Sequence, residues 1–252
     1  MKVLLSPAKA IDMTKRLATT EVCEPMFINE AEGLMKKMRK FSANKIGKMM
    51  HLSKELAQLN YDRNQTWEPS AQLSEETGHA MAIFNGEVYR GLDALTLDEK
   101  GVQIAQEKVR ILSGLYGMLR PLDVVRPYRL EMGTSWAVTA AKKNLYQFWG
   151  SKICDALNAE EDEVIINCAS AEYFKAAQLK NVKARVITPV FKDFKNGDYK
   201  VIMVFAKQSR GAMARYIVDN NIEDPEEIKG FNTGGYRFDA NLSTENEWVF
   251  TR

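Results

Sequence analysis

Histidine and cysteine are scarce in this chain. Its 252 residues include two histidines, His51 and His79, and three cysteines, Cys23, Cys154 and Cys168. A histidine-rich metal centre is excluded, and a serine–histidine–aspartate triad would have to draw on one of those two rings. The cysteines are odd in number and widely spaced, which argues against a disulfide framework and against a thiolate zinc site. Reduced thiols suit the cytosol, which is the expected compartment. Long apolar runs are missing too: nothing approaches the roughly 20 residues that span a bilayer. At the start, Val3-Leu4-Leu5 is cut short by Pro7 and Lys9, too soon for a signal sequence. Excess charge is also absent. With 35 basic residues against 33 acidic the net is +2, so bulk charge points to neither nucleic acid nor membrane, and a basic site has to be local.

What is present is an ordinary apolar fraction of 45%. At this length a chain can bury roughly 70–75% of its unfolded surface and needs no metal or disulfide. No repeat, low-complexity tract or linker divides it, so residues 1–252 are expected to form a single domain.

Residues 2–6 predict a short buried strand. Residues from about 25 to 60 predict helix, with Pro25 in a first turn and Ser42 capping a face of Ile46, Met49, Met50, Ser53 and Leu56. Ser74-Glu75-Glu76 is expected to open another helix, and Thr96 or Asp98 one that runs toward Arg110. Residues 111–115 fit strand or helix. Residues 144–158 predict an amphipathic helix, and Val164-Ile165-Ile166 a buried strand. Val186 to Phe191 and Tyr199 to Phe205 flank Asn196-Gly197, a hairpin signal. A helix from about Ser209 to Asn220 follows, then a final strand pair at 236–239 and 248–250. Long helices early and strands later point to an α+β (mixed α/β) fold, with a central mixed sheet of six or seven strands surrounded by helices. The polar working surface is expected from the central and C-terminal segments rather than the N-terminal third.

Three segments carry candidate chemistry. Residues 112–133 set Arg120, Arg126, Arg129, Tyr116 and Tyr128 among Gly114, Gly117, Pro121 and Pro127. A stiff, irregular segment rich in arginine and tyrosine suits phosphate or base recognition; the alternative is a structural loop with solvated arginines. Ser170-Ala-Glu-Tyr-Phe-Lys175 follows a buried strand, where open α/β sheets often hold ligands, and it equally fits a plain helix start capped by Ser170. On a helix, Lys207 and Arg210 share a face while Arg215 falls away from it, which gives either a phosphate-binding element or a solvated face. Two motif matches are discounted. Ser6-Pro-Ala-Lys9 has the Ser-x-x-Lys spacing of penicillin-recognising enzymes but lacks their partner motifs. Gly114-Leu-Tyr-Gly117 has no Gly-Lys-Ser/Thr after it, and no dinucleotide fingerprint occurs.

Taken together, the motifs resemble the bacterial YaaA family of peroxide stress resistance proteins. The matching stretches are Ser6-Pro-Ala-Lys9, Phe84-x-Gly-x-Val-Tyr-x-Gly-Leu92, all of 112–133, Leu145-Tyr-Gln-Phe-Trp-Gly150 and Ile166-Asn-Cys-Ala-Ser-Ala-Glu-Tyr-Phe-Lys175. Pro189-Val-Phe191, Ala206-Lys-x-x-Arg-Gly211 and Gly230-Phe-Asn-x-x-Gly-Tyr-x-Phe-Asp239 extend the match nearly end to end. Two departures stand out: Ala10, where the family often has a hydroxyl residue, and Cys168 inside the Asn-x-Ala-Ser stretch. Cys168 reads either as an oxidant-sensing thiol or as a buried, inert one.

The resemblance implies resistance to hydrogen peroxide through limiting free iron and DNA damage. It also implies DNA binding by a positive cleft, an unusual α/β fold and a helix-hairpin-helix element, for which residues 41–60 and 104–122 are the candidates. Lys9, Arg120, Arg126, Arg129, Lys175, Lys207 and Arg210 would hold phosphates, and Tyr116, Tyr128 and Tyr173 would stack on bases. The partner expected is duplex or structured DNA, with no membrane, cofactor or metal. A different reading makes the chain an enzyme acting on a nucleotide or other phosphorylated small molecule, with Ser6, Ser170, Glu172 and Tyr173 as the reacting groups. Direct iron binding would require carboxylates such as Glu131, Glu172, Asp193 and Asp239 to gather.

Overall fold

The computed structural model describes the whole chain, Met1 to Arg252. Its centre is an eight-stranded mixed sheet flanked by helices. The strands are β1 (Lys2–Leu5), β2 (Val109–Ser113), β3 (Gly117–Leu119), β4 (Val164–Asn167), β5 (Arg185–Lys195), β6 (Asp198–Lys200), β7 (Arg237–Asp239) and β8 (Glu247–Thr251). They lie in the order β7-β8-β5-β4-β1-β2-β3, with β6 hairpinned onto β5. The five inner strands are parallel, and β3, β6 and β7 join antiparallel. Strands covered on both faces need apolar side chains on both, so β1 and β4 read as unbroken hydrophobic runs. Val3, Leu4, Leu5 and Ile166 are fully buried. A hydrophobic cluster of 61 buried residues extends along the chain from Val3 to Phe250.

The helices are α1 (Ile28–Met38), α2 (Ala43–Met50), α3 (Lys54–Thr66), α4 (Glu87–Leu92), α5 (Glu99–Lys108), α6 (Leu145–Trp149), α7 (Lys152–Ala159), α8 (Ala171–Ala176) and α9 (Met203–Asp219), with a helical turn at Ala80–Ile83. Ser42 and Asp98 cap α2 and α5 through their side chains, at Lys45 N and Gly101 N. Asn196 and Gly197 take φ of +55° and +80°, the twist that a two-residue hairpin turn requires.

Several sequence expectations are corrected. The helix over 25–60 is three helices. His51 takes a left-handed conformation that ends α2, Ser53 caps α3, and Leu56 faces solvent rather than sharing the face of Ile46. Ser74-Glu75-Glu76 opens no helix, because the Ser74 hydroxyl engages Thr77 and the Glu76 N–H in a turn. The segment 144–158 breaks at Gly150, φ +52°, into α6 and α7. The second hairpin strand stops at Lys200, and α9 begins at Met203, not Ser209. Residues 111–115 resolve as strand through Ser113. The main sheet has eight strands rather than six or seven, and the strand earliest in sequence, β1, sits in its middle. No helix is long and apolar enough to cross a membrane.

Candidate functional site

Strand β1 has β2 on one side and β4 on the other, so the chain changes direction across the sheet at β1. A crevice at the carboxyl ends of parallel strands forms at such a point. Here β1 delivers Ser6 and β4 delivers Ser170 to that edge. The Ser6 Oγ accepts a hydrogen bond from the Ser170 N–H (2.8 Å) and donates to the Ser170 Oγ (3.3 Å). The Ser6 carbonyl accepts from the Tyr89 hydroxyl on α4 (3.0 Å). Ser170 stands at the cap position of α8, but its side chain makes no capping bond.

Around this junction lies a half-open cavity of about 790 Å³, walled by residues 6–10, 85–89, 128–131, 168–173 and the start of α9. It brings together Ser6, Lys9, Tyr128, Arg129, Ser170, Glu172, Tyr173, Lys207 and Arg210 from the expected set. The expectation that the N-terminal third stays out of the polar surface is overturned, because residues 6–10 and α4 supply one wall. Asn85, Glu87 and Tyr89 also line the cavity, and sequence reasoning misses them as site residues. Their signal is the motif 84–92, whose glycines mark close backbone approaches.

The cations fall into two groups. Lys9 Nζ lies 2.6 Å from Glu131, and Arg129 binds the same carboxylate through Nε (3.0 Å) and a terminal nitrogen (2.7 Å). Lys207 and Arg210, one turn apart on α9, have no hydrogen-bonding or ion-pair partner in the protein, and both line the cavity. Glu172 accepts from the Gly133 N–H (2.7 Å), which ties α8 to the loop after Arg129. Arg215 points away, as expected, to Asp219 (2.7 Å) and the Thr96 hydroxyl (2.6 Å).

Burial would push the Glu131 carboxyl up, but hydrogen bonds from Lys9 and Arg129 overcome it and hold it below its ordinary value. A carboxyl depressed in this way contributes stability above its unfolded pKa and loses that contribution as pH falls through its folded value. Glu131→Gln is therefore expected to be less stable than wild type at pH 7, with the deficit shrinking below about pH 4. Urea denaturation at stepped pH measures this. The same substitution frees Lys9 and Arg129 for an anionic ligand, so affinity for phosphate groups is expected to rise while stability falls.

Four of the expected residues sit elsewhere. Arg120 holds the buried Asp123 (3.0 Å) and the Glu24 carbonyl (2.9 Å). Arg126 is clamped by Glu76 (2.7 Å) and Glu68 (3.2 Å) and is largely covered. Lys175 lies over the Tyr146 ring, 4.8 Å from its centre. Tyr116 is buried, accepting from the Trp67 indole N–H (3.2 Å) and the Arg126 N–H (3.2 Å).

The base-stacking expectation is corrected for all three tyrosines: Tyr116 is packed in the interior, and Tyr128 and Tyr173 reach the cavity wall with only 5% and 6% of their surface exposed, too little of either ring for a base to stack on. Tyr128 also shares a 2.6 Å hydrogen bond with Ser113. Burial raises the pKa of Tyr89, Tyr128 and Tyr173, and nearby phenols add to it, so these hydroxyls remain protonated donors. Burial likewise pushes the Cys168 thiol up to about 12 against the pull of Arg210, which favours the inert reading. No three histidine, cysteine or carboxylate side chains gather to hold a metal ion.

Of the two helix-hairpin-helix candidates, residues 104–122 form the end of α5 and the β2–β3 hairpin. Residues 41–60 fall in α2 and α3, two helices joined by His51–Ser53 and packed closely enough that a Cβ on Gly47 would lie 3.1 Å from Ala57.

Residues 1–242 match the model of a family described as peroxide stress protein YaaA. A UPF0246 protein of Neisseria gonorrhoeae is 46% identical over 256 residues, covering 100% of this chain and 98% of that relative. One of Flavobacterium johnsoniae is 46% identical over 254 residues and covers both chains in full. One of Burkholderia pseudomallei is 45% identical over 258 residues, with coverage of 100% and 98%. With these matches running the length of the sequence, the chain belongs to the YaaA family of peroxide stress proteins.

Proposed function

We propose that this member of a peroxide stress family protects DNA by binding it through phosphates, without reading sequence, at the cleft on the carboxyl edge of the sheet. One observation carries the reading: Lys207 and Arg210 stand unpaired over the cavity, beside Lys9 and Arg129. Four cations and three carboxylates, Glu87, Glu131 and Glu172, line the cavity, and the two unpaired cations are the ones a phosphate backbone would meet. The α2–α3 pair adds exposed Lys48 and Lys54 near its turn, which suits a helix-hairpin-helix grip on a backbone. DNA held in this way is less open to damage by free iron and peroxide.

The test is a fluorescence-anisotropy titration with labelled duplex, single-stranded and junction DNA at several salt concentrations. Affinity is expected to fall linearly on a log–log plot, with a slope of about −0.9 per phosphate neutralised on duplex. Binding absent at low salt would overturn the reading.

A second reading rests on the enclosure of the site. A cavity of about 790 Å³ at a sheet switch point is of small-ligand size. It would take a nucleotide or another phosphorylated small molecule, with Ser6, Ser170, Glu172 and Tyr173 around the reacting end. Thermal stabilisation by nucleoside phosphates in a protein that ignores DNA would favour it.

A further inference from the structure

A cavity suited to phosphate has little use for carboxylates, yet three line this one. Glu131 is accounted for, because Lys9 and Arg129 occupy both of its oxygens. Glu172 gives one oxygen to the Gly133 N–H. Glu87, the first residue of α4, accepts from Arg90 at Oε1 (2.6 Å), and its Oε2 has no partner in the protein. Two residues earlier stands Asn85, which lines the same cavity. Lys15 donates to the Asn85 Oδ1 (3.2 Å). An ammonium can only donate, so this bond fixes which end of the amide is oxygen. The Asn85 Nδ2 is left without a protein partner, and neither it nor the Glu87 Oε2 is sealed from solvent.

The backbone sets the two side by side. Phe84 and Asn85 bridge Ile11 and Ala10 as extended chain, and Gly86 is extended too, with φ −176° and ψ 176°. Alternate residues of an extended chain share a face, so Phe84 enters the core while Asn85 and Glu87 both reach the cavity. The packing of Val88 on Gly211 then holds Glu87 against α9, the helix that carries Lys207 and Arg210. What the pair offers a ligand is one amide donor beside a carboxylate acceptor. Guanine presents the matching edge: O6 accepts, and N1–H and N2–H donate from adjacent atoms. Adenine, cytosine and uracil each have a single donor on that edge, so a carboxylate meets two adjacent donors on guanine alone. A carboxylate also repels phosphate, which suits it to the base end of a nucleotide.

We infer that Asn85 and Glu87 form a base-reading edge selective for guanine nucleotides. The Asn85 Nδ2 donates to O6, Glu87 accepts from N1–H and N2–H, and Lys207 and Arg210 hold the phosphate. This rests on the nucleotide reading above and names its ligand class. A site built to hydrogen-bond its ligand rejects one that leaves those groups unpaired.

The test is isothermal titration calorimetry of wild type and Glu87→Gln with GMP, IMP, AMP, CMP and UMP. Wild type is expected to bind GMP about tenfold or more tightly than AMP, CMP or UMP, the scale of one hydrogen bond to a charged group. IMP keeps O6 and N1–H but lacks the second donor, so its affinity is expected to fall between those of GMP and AMP. Glu87→Gln replaces an acceptor with a donor while leaving an oxygen for Arg90. It is expected to weaken GMP binding about tenfold or more and to erase the preference over AMP. Thermal melting checks that the variant folds, and the comparison of IMP with GMP needs no variant. Equal affinities across the five nucleotides, IMP equal to GMP, or AMP above GMP overturns this inference and leaves the nucleotide reading standing. So does an unchanged GMP preference in folded Glu87→Gln. No binding of any of the five by wild type overturns both.

Discussion

Gly211→Ala is expected to lower the melting temperature by about 6–12 °C, although it adds a single methyl group to a helix and raises intrinsic helix propensity. The reason lies in the crossing of α4 and α9. A Cβ on Gly211 would sit 1.7 Å from the Val88 carbonyl oxygen, and one on Gly91 would sit 1.9 Å from the Gln208 carbonyl oxygen. Each helix therefore places a glycine against the other's backbone, and the obstacle is main chain, which cannot rotate aside as a flexible side chain does. Overpacking a close contact costs about 1–3 kcal/mol, and a backbone obstacle on both helices puts this change at the upper end, about 3 kcal/mol. For a chain of this length that corresponds to the stated fall in melting temperature. Gly33, inside α1, is the control, because a Cβ added there would meet nothing within 4 Å. Gly33→Ala is expected to stabilise by about 0.5–1 kcal/mol through reduced chain entropy. Scanning calorimetry of the two variants gives opposite signs for the same chemical change. Equal signs would mean that the helix crossing relaxes freely. The crossing also sets the cavity, since α4 contributes Glu87, Val88 and Tyr89 to its wall and α9 contributes Met203, Lys207 and Arg210. Gly211→Ala is thus expected to impair ligand binding as well as stability.

What is legible in the sequence follows from how local each signal is. Buried parallel strands announce themselves as apolar runs, so β1 and β4 are readable, and the Asn196-Gly197 turn is readable because few dipeptides tolerate two positive φ values. The early start of α9 is hidden because Val201 to Phe205 is an apolar run too short to show a period, and its side chains are exposed rather than buried. Ser74-Glu75-Glu76 looks like a helix start, yet the chain beyond it must carry His79 inward, where its ring meets the Glu21 carbonyl at 2.7 Å, and the Ser74 hydroxyl is already committed to the turn.

The site is harder to read because it is built by topology. Ser6 and Ser170 are 164 residues apart, and only the adjacency of β1 and β4 makes them neighbours. Composition does not separate Arg126 from Arg129 either. They differ in which carboxylates the fold sets beside them, Glu68 and Glu76 for one and Glu131 for the other. The tyrosines of 112–133 suggest a recognition surface in sequence. Tyr116 lies 5.3 Å from Tyr128, ring centre to ring centre, and both belong to the core. An aromatic-rich segment carries the same composition whether it faces a ligand or the interior.

This difference in partners decides which cations should matter for binding. Lys207→Gln and Arg210→Gln are each expected to weaken DNA binding about tenfold at physiological salt, the scale of one charged hydrogen bond, and to reduce the salt slope by about one. They lie three residues apart on one helix and would meet neighbouring phosphates, so the double variant is expected to lose somewhat less than the product of the two. Arg126→Gln is expected to leave affinity nearly unchanged, because its guanidinium already binds Glu76 and Glu68 and a phosphate would have to displace both. Its cost should appear in stability instead, since the Arg126 Nε is buried and both its terminal nitrogens are engaged. Arg129 falls between the two, held by Glu131 on the rim of the cavity. Anisotropy titrations of the three variants therefore order the cations as Lys207 and Arg210 first and Arg126 last. The reverse order would place the DNA on the face of Glu68 and Glu76, away from the cavity, and would leave the cavity to a small ligand.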